Sequence, residues 1–74
     1  MHHETASAAA QTLEFRDSRG FRWRVYERQK GELFRGRVTV LVFESDTAVR
    51  IVRSFPANWR DFAPAGLEDL SWRL

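Results

Sequence analysis

The chain has 74 residues, with 12 Lys and Arg against 10 Asp and Glu, and no cysteine. That length allows one domain, near the lower size at which a single core stabilises a fold, and the missing cysteines close the disulfide route. With histidine confined to His2 and His3, a structural zinc has no ligand set, and no apolar run approaches the roughly 20 residues of a membrane-spanning helix.

Residues 1–12, MHHETASAAAQT, hold no aromatic residue and little that can bury. They are expected to form a disordered N-terminal tail ahead of a single small α+β domain over 13–74. LEFR (13–16) alternates, with Leu13 and Phe15 on one side and Glu14 and Arg16 on the other. DSRG follows as a turn, and it predicts a Ser18–Gly20 hairpin loop with Gly20 in the left-handed region. FRWRVYER (21–28) alternates again, setting Phe21, Trp23 and Val25 against Arg22, Arg24 and Arg28. The loop length fixes a register: Phe15 opposite Trp23, Leu13 opposite Val25, Glu14 opposite Arg24. One face then becomes wholly apolar, which places Trp23 in the core.

ERQKGELFRGR (27–37) carries two glycines and mostly polar residues. It reads as a longer mobile connection, with Leu33 and Phe34 folding back as a cover. VTVLVFES (38–45) is apolar at nearly every position, the pattern of a strand covered on both faces. SDTA is a tight turn. VRIVRSF (49–55) alternates, with Val49, Ile51 and Phe55 one way and Arg50, Val52 and Ser54 the other. Pro56 ends the strands. ANWRDF reads as a turn capped by Asn58, and Pro64 suits the first position of a helix. Leu67, Leu70 and Leu74 have helical spacing, with Glu68 and Asp69 early, where the helix dipole favours them. The expected architecture is a four-stranded antiparallel meander with a short C-terminal helix packed on one face.

Two constellations bear on function. Arg16, Arg22, Arg24 and Arg28 share a sheet face with Tyr26, and Arg50 joins them from the last strand. Arginines around an aromatic on a sheet bind single-stranded nucleic acid through phosphates and stacking. This face has one aromatic, however, and Glu14 opposes Arg24. The second constellation is the doubly apolar strand. A short helix covers one side, leaving either Val38, Val40 and Val42 or Leu41 and Phe43 for another contact.

Catalysis is not expected. Neither a cysteine nor a core-region histidine can serve as nucleophile or base, and no glycine-rich loop precedes a helix. Glu27 and Glu44 both end apolar strands, so a carboxylate pair is conceivable, although such glutamates more often pair with neighbours such as Arg22 or Arg53. The start MHH has the donors for square-planar Cu(II) through its amine, two amides and His3, yet a chance start is the simpler account. No metal site, cofactor or small-molecule substrate is indicated.

The segments WRVYE, LVFES and FPANWRDF together resemble a pattern of short, uncharacterised bacterial proteins: W-R-V-x-E, then L-V-F-E-S, then F-P-x-N-W-R before a leucine-bearing helix. The likeness spans residues 21–74 and implies a self-contained small domain, with no activity and no functional residue to carry over.

The sequence thus leads to a cytoplasmic, non-enzymatic module that binds a protein or a second copy of itself through the sheet. The alternative is a nucleic-acid binder using the arginine face.

Overall fold

Four strands pair antiparallel with their neighbours in chain order, β1-β2-β3-β4. The structure, a computed structural model, describes residues 12–32 and 36–74. The strands are β1 (Leu13–Arg16), β2 (Arg22–Glu32), β3 (Gly36–Glu44) and β4 (Val49–Val52). A 3-10 turn at Trp59–Asp61 leads into one helix, α1 (Pro64–Ser71), which packs against the sheet at β4 and β1. The tail expected over 1–12 and the Leu33–Phe34 cover lie outside the described residues, apart from Thr12.

The first hairpin forms as its alternation dictates. Leu13 pairs with Val25, Glu14 with Arg24 and Phe15 with Trp23. Asp17 and Phe21 close the loop, the Asp17 amide donating to the Phe21 carbonyl at 2.9 Å. Gly20 turns the chain at φ 88°, a region in which a side chain would clash. The Asp17 carboxylate then organises the loop from inside: it accepts from the Arg19 and Phe21 amides and, at 3.0 Å, from the Trp23 indole.

Within the connection expected over 27–37, residues 27–32 and 36–37 are instead strand. β2 runs to Glu32 and β3 begins at Gly36, with Gln29 opposite Thr39, Lys30 opposite Val38 and Gly31 opposite Arg37. This arm extends past the ends of β1 and β4, whose pairings stop at Val25 and Leu41. Backbone ladder bonds hold it, and those need no apolar side chains, so its polar sequence gave no strand signal.

The core lies between the sheet and the C-terminal segment. Phe15, Trp23, Val25, Leu41, Phe43, Val52, Trp59, Leu67 and Leu70 form one buried cluster. The Phe15 and Phe43 rings meet edge to face, with centroids 6.2 Å apart. Leu41 and Phe43 therefore supply the face of β3 that meets the helix. Trp59, fully buried, donates its indole N–H to Glu27 Oε2 at 2.8 Å. Arg60 stands 3.5 Å from the same carboxylate and stacks on the Trp59 ring.

The C-terminal segment differs from expectation at several residues. β4 ends at Val52, before Phe55, and it is Val52 that reaches the core, whereas Val49 and Ile51 face away. Asn58 makes no side-chain cap; its carbonyl accepts from the Asp61 amide instead. Glu68 and Asp69 fall outside the first turn of α1. Glu68 serves the hairpin, accepting from the Ser18 amide at 2.8 Å and its hydroxyl at 2.9 Å. Because α1 stops at Ser71, Leu74 lies beyond it and is exposed. Phe21, expected on the apolar face, is exposed at the hairpin tip beneath the Arg19 guanidinium.

Two outcomes follow for stability. Trp23→Ala removes a buried indole and its bond to Asp17, and should cost about 3–5 kcal/mol, measured by urea unfolding. A midpoint unchanged by the substitution contradicts the packing. Asp17 is held below the ordinary carboxyl range, first by the Trp23 indole and then by the Phe21 and Arg19 amides and the Arg19 charge, against an opposing cost of burial. A depressed folded-state pKa stabilises the fold above the unfolded value and loses that effect as pH falls through the folded one. Asp17→Asn should therefore lower Tm at pH 6 and shrink the further drop below about pH 4; an acid-induced drop as large as in the parent contradicts it.

Candidate binding face

Side chains alternate across a strand, so the register of the sheet assigns every position to a face. On the side away from α1 lie Glu14 and Arg16 of β1 and Arg22, Arg24, Tyr26, Arg28 and Lys30 of β2. Val38, Val40, Val42 and Glu44 of β3 and Val49 and Ile51 of β4 share it. The arginine row and the valine row, read from the sequence as separate surfaces, are thus two stripes of one face. Leu41 and Phe43 do not belong to it; both are fully buried on the opposite side.

The apolar stripe runs down β3 and β4. Val42 sits between Tyr26 and Ile51, and Val40 lies beside Arg28. Both valines are buried, whereas Val38 is 36%, Ile51 41% and Val49 57% exposed. Long side chains beside the valines can lay their stems over apolar neighbours while keeping the charge in water. Arg28, Lys30, Val40, Val42 and Ile51 line a groove of about 360 Å³.

The cations of this face are not equivalent. Arg24 is paired with Glu44 at 3.3 Å, and the Tyr26 hydroxyl lies 3.5 Å from the same carboxylate. Arg16 donates to the Gly20 carbonyl at 2.9 Å. Arg22, Arg28 and Lys30 form no ion pair with the described residues. An exposed pair such as Arg24–Glu44 adds at most about 1 kcal/mol, but it neutralises the centre of the arginine row.

Arg50 is on the other side. It pairs with Phe43 in the ladder and therefore faces α1, where its guanidinium stacks 3.6 Å from the Trp72 ring centroid and 4.5 Å from that of Trp23. It also donates to the Ser71 hydroxyl at 2.9 Å, and that hydroxyl donates to the Glu68 carbonyl. The apolar look of Val49 and Ile51 hid this, because an arginine sandwiched between indoles behaves as part of the packing. Glu27 and Glu44 also lie on opposite faces, with Arg60 and Arg24 as their respective partners, so they do not form a carboxylate pair. The MHH start lies outside the described residues. Among the described residues no helix is long and apolar enough to cross a membrane.

The two faces should answer differently to one charge. Leu41→Lys places an ammonium in a fully buried site and should abolish cooperative folding. Ile51→Lys enters a half-open one and should shift Tm by only a few degrees. Circular dichroism melts of the two variants check this, and similar losses in both contradict the assignment of faces.

Compared with known proteins, the chain matches no family model, no curated protein and no solved structure.

Proposed function

We propose that the chain is a small non-enzymatic protein-interaction module whose contact surface is the outer face of the sheet. The observation that carries this is the exposure of Val38, Val49 and Ile51 together on the side that α1 leaves uncovered. Apolar side chains gathered on one face of a sheet, rimmed by charge, have the composition of a protein contact, with its apolar centre and polar rim. Strands hold these residues at fixed spacing, so a partner meets a preformed surface and loses little to ordering.

Nucleic-acid binding is the second reading, and the arginine row is what favours it. Its central arginine and its one aromatic both serve Glu44, and Arg50 is absent from the face. What remains is Arg22, Arg28 and Lys30 around an aliphatic floor, with the half-buried Tyr26 as the single ring for a base to stack upon.

Peptide display against the immobilised domain, run beside single-stranded oligonucleotide binding at two salt concentrations, tests the proposal. The expected result is enrichment of peptides that contain apolar residues, lost with Ile51→Lys, and no oligonucleotide binding at physiological salt. Oligonucleotide binding that falls steeply with salt and disappears in Arg22→Glu plus Arg24→Glu moves the function to the second reading.

A further inference from the structure

Resting on the reading of the outer face as a protein contact, we infer that its occupant is an acid-flanked amphipathic helix of a partner protein. The groove supplies the two halves of the recognition. Its floor is Val40 and Val42, with Ile51 on one side, and its other side carries Arg28 and Lys30.

The cations stand in line on β2, two residues apart, hence about 6.8 Å from one another along the strand. In a helix, residues i and i+4 are separated by about 6 Å of rise and lie on one side. Two carboxylates so spaced meet Arg28 and Lys30 together, while the neighbouring i, i+3, i+4, i+7 row of apolar residues meets the exposed Ile51 and Val38 across the buried Val40 and Val42. The sheet already accepts a helix in this way on its other face, where Leu67 and Leu70 of α1 pack onto the core cluster. A second helix outside would complete a three-layer arrangement in which each face of β3 is covered.

Charge selects this occupant over a second copy of the chain. Among the described side chains the strands present five cations to this face, Arg16, Arg22, Arg24, Arg28 and Lys30, against the carboxylates Glu14 and Glu44. A two-fold contact sets a patch against itself, so a face with more cations than carboxylates would meet a second face of the same sign, while Glu44 is already held by Arg24. An acidic partner turns the same cations into attraction and faster association.

The test uses the full chain, labelled with 15N, and a capped synthetic peptide of about 16 residues, long enough to form helix on binding. Its leucines follow the i, i+3, i+4, i+7 pattern and its flanks are glutamates. One control replaces the glutamates by lysines, and a second replaces the leucines by serines. The expected result is binding of the Glu/Leu peptide alone, with a gain in helicity and amide shifts confined to 28–31, 38–42 and 51. Affinity should fall about tenfold or more in Arg28→Glu plus Lys30→Glu, and also in about 0.5 M salt. Equal binding of the Lys/Leu peptide, indifference to the double charge reversal, shifts on the α1 side, or no binding by any peptide overturns the inference. If no peptide binds but the chain self-associates and Ile51→Lys abolishes that, the acidic-helix inference falls while the outer-face reading stands. If Ile51→Lys changes neither self-association nor peptide binding, both fall.

Discussion

An eight-residue helix spans about 12 Å and can cover part of one side of a sheet whose third strand is apolar on both. The rest of the structure arranges itself around that shortfall. Leu41 and Phe43 go to the helix side and are sealed with Val52, Leu67 and Leu70. The valines of the same strand go to the other side, beside a row of long cationic side chains on β2. Had β3 alternated apolar with polar residues, the outer face would be an ordinary solvated surface. Its double apolar character instead puts apolar side chains on both faces of the sheet.

The covered side is tied down by polar groups as well as by the apolar cluster. Glu68 reaches from α1 to Ser18 at the hairpin tip, and Glu27 reaches from the sheet to the Trp59 indole. Arg50 fills the space between two indoles and ends on Ser71. Each of these bonds joins elements distant in sequence, and each uses a side chain that could otherwise have stood in solvent. A charge-assisted hydrogen bond of this kind is worth about 1.5–3 kcal/mol where it is shielded from water, a large fraction of the stability of a domain this small. Directional polar ties therefore complement the aromatic side chains in fixing where the short C-terminal segment sits.

The parts legible in the sequence were those with a strict side-chain period. The first hairpin, its loop and its register followed from alternation and from Gly20, because a one-residue slip would have exposed Phe15 and Trp23. The four-strand order and the start of α1 at Pro64 were legible for similar local reasons. The Gln29–Glu32 and Gly36–Arg37 arm was not, since polar side chains say nothing about backbone pairing. Arg50 was assigned to the wrong face because its neighbours Val49 and Ile51 look like core residues and an arginine does not. Leu74 matched the helical period but lies past the point where the helix stops. The same limit hid the union of the arginine and valine rows. Each was visible alone, but only the β2–β3 register, with Arg28 beside Val40 and Lys30 beside Val38, sets them side by side.

The central claim is that the two faces of β3 and β4 differ, Leu41, Phe43 and Val52 being sealed within the chain and Val38, Val49 and Ile51 open to solvent. Methyl NMR in the presence of a soluble nitroxide reads this directly, because broadening reports how closely solvent approaches each methyl group. Strong broadening at Val38, Val49 and Ile51, with Leu41 and Val52 untouched, is the predicted result. Uniform protection of all five, or broadening of Leu41 to the level of Ile51, would contradict the account.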